Sequence, residues 1–130
     1  MDQRDIGRIQ AHLKRTFGNP HITLKPGASQ AVSCDVEIKG QSIGRVTRDE
    51  DDDGSFMFEM EIEAENFDAI QAVLRTTFGN AQIAVKPRPR QKDSCEVELN
   101  GEFIGLIYQD DDEDGSFLFE MAILAEDLDA

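Results

Sequence analysis

Two acidic runs hold the residue types best suited to chemistry. In DEDDDGSFMFEM (49–60), Asp49, Asp51, Asp53 and Gly54 take the D-x-D-x-D-G spacing with which a calcium loop begins. That spacing offers three carboxylates to a hard cation and a glycine for the sharp turn. In DDDEDGSFLFEM (110–121), Asp110, Asp112, Asp114 and Gly115 take it again. Such a loop closes on a bidentate glutamate at its twelfth position, where both runs have methionine, Met60 and Met121. Glu59 and Glu120 fall one residue early, and both runs leave into alternating aromatic segments, not helices. The spacing supports two readings. One is a weak divalent-cation site, with calcium as the candidate cofactor; the other is the solvated tip of a hairpin whose acids discourage edge pairing. An unchanged amide spectrum and melting temperature in millimolar Ca²⁺ would remove the first.

Other groups carry nucleophilic, anion-binding or metal-binding types. Cys34 and Cys95 stand on inward-facing strand positions beside Val36 and Val97. With no neighbouring His or basic residue to activate them, they read as buried, inert thiols. The sharper reading has the two halves of the chain bring them within bridging distance. KPRPRQK (86–92) is a basic island, since residues 67–130 hold five basic and fourteen acidic side chains. Lys86, Arg88, Arg90 and Lys92 either balance the chain's own acids or dock an anionic ligand, which arginine suits. His12 and His21 have no ligand spacing between them and read as surface residues. No Gly-rich phosphate loop, H-E-x-x-H or Ser-His-Asp grouping occurs, so no catalytic residue and no enzyme activity is assigned.

The elements that must position these groups are written twice. RTFGN (15–19) recurs as TTFGN (76–80), Phe17 returning as Phe78, an offset of 61. The same offset carries Cys34 to Cys95, Gly40 to Gly101, Gly44 to Gly105 and Gly54 to Gly115 without a gap. The chain thus divides into repeat unit 1 (1–66) and repeat unit 2 (67–130). Each unit opens with an amphipathic helix, carried by Ile6, Ile9, Leu13 and Phe17 in one and by Phe67, Ile70, Val73, Leu74 and Phe78 in the other. Gly18 and Gly79 stand where a left-handed residue ends a helix, and Asn66 where one is capped. Four period-two segments follow in each unit: HITLKP and QIAVKP, CDVEIK and CEVELN, SIGRVT and FIGLIY, FMFEMEI and FLFEMAI. Asn100-Gly101 is a strong hairpin-turn signal, Lys39-Gly40 a less ideal one, and Gly44 and Gly105 mark bulges.

Each unit therefore reads α-β-β-β-β, and roughly 60 residues make a thin core. The pattern predicts an α+β fold in which the two units pair as an intramolecular pseudo-dimer. Its sheets are antiparallel, its helices pack on one side, and pairing removes exposed sheet edges.

Unit 2 resembles a family of short uncharacterised bacterial proteins, a domain of unknown function about one repeat long. The resemblance lies in LRTTFGN, VKPRPRQKDS, VELNGEFIGLIYQDDDEDG and FEMAILAEDLD. It covers nearly all of residues 67–130 and reaches 6–66 through the duplication. What it implies is the fold of the repeat, with no activity and no site residue. Unit 1 departs from it where KPGASQAVS replaces KPRPRQKDS, which confines any function of the basic segment to unit 2.

Charge and patterning bound the partners. A net charge of −14 repels phosphate backbones, so nucleic acid is not an expected partner. No apolar run approaches the roughly 20 residues that span a bilayer. MDQRDIGRIQ lacks the apolar core of a signal peptide, and two distant cysteines suit a reducing compartment. The expectation is a cytoplasmic protein without membrane contact. Outward positions separate the units most: Arg45, Thr47, Glu61 and Glu63 correspond to Leu106, Tyr108, Ala122 and Leu124. FIGLIY is apolar on both faces, which a half-wet sheet does not need. Either that strand is covered inside the chain, or Phe103, Leu106, Tyr108, Leu118 and Leu124 form the candidate interaction surface for a protein partner or a second copy, the reading we favour. The functional expectation is a small acidic structural or protein-interaction module, with weak calcium binding as the alternative.

Overall fold

A helix followed by four strands forms twice, as the two hydrophobic periods require. A computed structural model describes residues 3–26, 33–48, 55–64, 67–88, 91–109 and 116–124. Unit 1 contributes α1 (Gln3–Phe17), β1 (Ile22–Pro26), β2 (Ser33–Ile38), β3 (Gln41–Arg48) and β4 (Phe56–Glu63). Unit 2 contributes α2 (Phe67–Phe78), β5 (Ile83–Arg88), β6 (Gln91–Leu99), β7 (Glu102–Gln109) and β8 (Ser116–Ile123). The architecture is α+β, a mostly antiparallel β structure with a repeated α-β pattern.

All eight strands lie in one antiparallel sheet, ordered β1-β2-β3-β4-β8-β7-β6-β5. The expected plural sheets are thus one, because the units join edge to edge. β4 and β8 pair from Phe56↔Ile123 to Glu63↔Ser116, with the counterparts Glu59 and Glu120 directly opposite. This pairing covers the two inner edges and leaves β1 and β5 as outer ones. Each outer edge receives a helix side chain. Gln10 Oε1 accepts the Leu24 N–H and Gln71 Oε1 accepts the Val85 N–H, both at 2.9 Å, so these outward-pointing donors are satisfied within the chain.

One face of the sheet holds the core. Alternate residues of β4 (Phe56, Phe58, Met60, Ile62) and β8 (Phe117, Phe119, Met121, Ile123) are buried there. Ile9, Leu13 and Phe17 of α1, and Ile70, Leu74 and Phe78 of α2, fall on one stripe of each helix and are buried against that face. Phe17 and Phe78 stack at 3.8 Å, and both meet Phe58 edge-on, at 6.5 and 6.3 Å, so the two helices share a side.

Where the helices end, the units clasp each other. Gly18 and Gly79 take φ of 60° and 62°, and the N–H groups of Asn19 and Asn80 reach back to the carbonyls of Lys14 and Arg75. This is the left-handed termination that glycine permits. Each asparagine then crosses over. Asn19 Nδ2 donates to the carbonyl of Phe78, and Asn80 Nδ2 to that of Phe17, both at 2.8 Å. The last carbonyl of each helix is satisfied by the other unit.

Two sequence signals in the hairpins have their physical cause in view. Ile43 and Ile104 are extra residues in β3 and β7, the register shifting beside Val36/Glu37 and Val97/Glu98. A Cβ on Gly44 would sit 2.5 Å from the Glu59 carbonyl oxygen and 2.7 Å from the Phe58 ring, and one on Gly105 as close to Glu120 and Phe119. Only glycine lets the bulged strand lie over the ring. Both β2–β3 and β6–β7 turns adopt positive φ at two residues, Lys39-Gly40 and Asn100-Gly101.

Candidate functional site

The face away from the helices carries no other element among the described residues, and one row of side chains crosses it from edge to edge. In register it reads Lys25, Asp35, Arg45, Glu59, Glu120, Leu106, Glu96 and Lys86, one residue from each strand. In charge, the row is a copy of itself read backwards except at one place: Leu106 stands where unit 1 has Arg45, while Glu96 keeps the acid of Asp35. Glu59 therefore has a cation on its outer side, whereas Glu120 has a leucine.

Around Glu120 the substitution is not isolated. Leu118 and Ala122 flank it along β8, Leu106 lies across β7, and Glu59 lies across β4. Tyr108 pairs Leu118 and Met57 pairs Ala122, which widens the apolar surround. No lysine or arginine among the described residues makes an ion pair with Glu120. Burial first, and the neighbouring Glu59 carboxylate second, raise its carboxyl above the ordinary value of 4.5.

A groove opens beside this patch. β7 and β8 stay paired from Gln109↔Phe117 to Leu106↔Glu120, Gly105 still lies against Glu120, and the pairing is not continued by Glu102–Ile104. The gap forms a groove of 790 Å³ whose walls include Phe103, Leu106, Tyr108, Met57 and Leu124. Its floor reaches the helix side, at His12 and Thr16 of α1. The equivalent depression in unit 1 is 450 Å³ and is lined by Asp35, Ser42, Arg45, Glu59 and Glu61 together with Leu118. The same backbone divergence is lined mainly by charged and polar side chains in unit 1, whereas in unit 2 apolar walls join Arg15, Glu102 and Glu120.

Of the sequence candidates for an interaction surface, Leu106, Tyr108 and Leu118 come together on the open face, each half-buried. Leu124 follows the end of β8, 38% exposed, and Phe103 borders the groove, 56% exposed. Glu120, Met57 and the Asn19/Asn80 clasp were missed. The repeated FGN after each helix was the available signal for the clasp.

The remaining candidates separate. Lys86 bonds Glu98 at 3.2 Å, as Lys25 bonds Glu37 at 3.1 Å in unit 1. Arg88 ends β5 and Lys92 lies near the start of β6, so part of the basic segment is strand, not loop; Arg90 lies outside the described residues. Cys34 and Cys95 are both buried thiols, and burial pushes the Cys34 thiol up. Their bridging is overturned, because β2 and β6 are five strand spacings apart in the sheet, roughly 24 Å. His12 is half-buried in α1 with Thr16 Oγ1 3.5 Å from its Nε2, and only His21 is fully a surface residue. Asp49, Asp51, Asp53, Asp110, Asp112 and Asp114 lie outside the described residues. Among the described residues no group of three or more His, Cys, Asp or Glu side chains is placed to hold a metal, and no helix is long and apolar enough to cross a membrane.

Two copies of one small α-β unit, with a site that differs between them, define a tandem-repeat protein. The family model described as "Protein of unknown function (DUF3126)" matches twice, over residues 5–65 and 66–127, and the chain belongs to that family as a tandem duplication. No match was found among curated proteins or solved structures.

Proposed function

We propose that this chain is a small acidic cytoplasmic protein-interaction module, built as an intramolecular pseudo-dimer and working through the open face of unit 2. The observation that carries the reading is the replacement of Arg45, Thr47, Glu61 and Glu63 by Leu106, Tyr108, Ala122 and Leu124 on otherwise matching strands. Packing of the repeat does not require it, because unit 1 builds the same strands with polar and charged side chains there. An apolar outer face beside a groove is what an interface leaves on a monomer surface. The pseudo-dimer is supported by the pairing of Glu59 with Glu120 and by the exchanged asparagine bonds. Nucleic acid is a poor partner for a chain of net charge −14.

Leu106→Arg restores the unit 1 residue and so tests the surface without an untried side chain. Light scattering and capture from a native lysate are compared for the two forms. The reading expects the variant to lose either self-association or captured proteins while melting at the same temperature. If mass and captured set are both unaltered, unit 2's face is not an interface.

A further inference from the structure

Resting on that reading of unit 2's face, we infer that its occupant is a partner segment with apolar side chains flanked by arginine or lysine, one of whose cations sits over Glu120.

Unit 1 serves as the internal reference. There the chain itself sets Arg45 beside Glu59, with Asp35 on the far side, so charges alternate along the row. In unit 2 the same backbone places Leu106 between Glu96 and Glu120. Two acids thus border an apolar residue, and the central one faces a third acid, Glu59. The missing cation and the half-buried Leu106 describe complementary halves of one ligand. An apolar side chain covers Leu106, Tyr108 and Leu118, and a guanidinium or ammonium reaches Glu120 from above. Arginine is the better match, since a planar fork meets a carboxylate through two hydrogen bonds.

The shape agrees with a segment, not a broad flat partner. The 790 Å³ groove where β7 parts from β8 is walled by Phe103 and Leu124 and continuous with the Leu106 surface, and Glu102 lies at its rim. A short amphipathic helix or extended peptide fits such a groove, its apolar anchors in the gap and its cations toward Glu102, Glu96 and Glu120. A second copy of the chain is disfavoured by the same charges. Packing this face on itself would bring the acids of two patches together, and like charges repel across an interface. Within the row, Lys86 does not relieve this, because it is engaged by Glu98; the cation that lines the groove is Arg15 of α1.

The test uses the full-length chain and a labelled 16-residue peptide of leucine and arginine, designed as an amphipathic helix, with a leucine–glutamate peptide as its control. Fluorescence anisotropy should show binding of the first peptide only, weakening with added salt. Glu120→Gln and Leu106→Arg should each weaken it at least tenfold, whereas Asp5→Asn on α1, which removes the same unit of charge, should leave it unchanged. Circular dichroism melting verifies that every variant folds. Equal loss with Asp5→Asn, or no binding at all, overturns the inference, the first by reducing the effect to bulk charge. A dimer by sedimentation that Leu106→Arg dissociates also overturns it, while the interaction reading survives with a second copy as the occupant. If Leu106→Arg alters neither mass nor peptide binding, both fall together.

Discussion

Arg45 and Leu106 hold the same place in the two units, in the third strand, opposite a glutamate of the fourth. Their surroundings on the helix side hardly differ: Val46 and Ile107, Phe58 and Phe119, Met60 and Met121 are all buried. On the open side the differences gather on the third and fourth strands, Ser42 against Phe103 and Glu61 against Ala122, while Lys25 and Lys86, Glu37 and Glu98, and Glu59 and Glu120 still correspond. Duplication has thus kept the packing face, where a lost methylene is felt throughout the core, and released the solvent face, where substitutions weigh little on stability. The lesson is that the unit is a scaffold whose outer surface is free to specialise, and that unit 1 is a control for unit 2 carried within the same molecule.

The comparison breaks first in the core. Phe58 touches Phe17, Phe78 and Phe119, whereas Phe119 meets, among the described residues, the ring of Phe58. Phe58→Ala should cost about 3–5 kcal/mol and Phe119→Ala distinctly less, by urea denaturation. Equal costs would show the two positions to be interchangeable after all.

Next come the exchanged caps. Asn19→Ala and Asn80→Ala should each cost about 1–2 kcal/mol, since each leaves a helix-terminal carbonyl without its donor. In a double-mutant cycle the two should couple, because each bond holds the other unit in place. Additive losses would mean that the bonds decorate a contact formed without them.

A smaller effect separates the two central acids. The folded chain holds the Glu120 proton to higher pH than the unfolded chain does, because the folded carboxyl is raised. Its ionised form therefore lowers stability as pH rises from 4.5 through the raised value. Glu120→Gln should raise the melting temperature by about 1–3 °C at pH 7 and leave it unaltered at pH 4. Glu59→Gln, which gives up its Arg45 neighbour, should bring no such gain. A rise at pH 4 equal to that at pH 7 would remove the electrostatic cause.

Least of all, the turns sharpen the pairing. Lys39 takes φ of 53° and Asn100 takes 56°, in the same two-residue hairpin. Asparagine tolerates that region better than lysine. Lys39→Asn should stabilise by a few tenths of a kcal/mol, and Asn100→Lys should destabilise by as much, both read from thermal melts.

The repeat, its helices and its strands were legible because each is a local matter. Ile9, Leu13 and Phe17 recur at helical spacing, Phe56, Phe58 and Met60 alternate, and Gly18 and Gly79 end helices for a reason that needs no tertiary contact. The apolar second-unit surface was legible for the same reason, since Leu106 and Tyr108 stand out against the period of their own strand. Glu120 was not. Its character comes from Glu59 across β4 and Leu106 across β7, residues 61 and 14 positions away in the chain. Nor was the separation of Cys34 from Cys95, which follows from strand order.

By itself, the sequence determined which residues face inward, where the chain turns, and that one unit is written twice with its outer face altered in the second copy. Only the tertiary structure decided that β4 and β8 are neighbours, that the helices exchange caps through Asn19 and Asn80, and that Glu59 and Glu120 stand side by side. The physical reason is that a two-residue period specifies the face of a strand and says nothing about its edge. Every strand offers the same backbone donors and acceptors along that edge, so the choice of neighbour falls to the packing of Phe17, Phe78 and Phe58 beneath it.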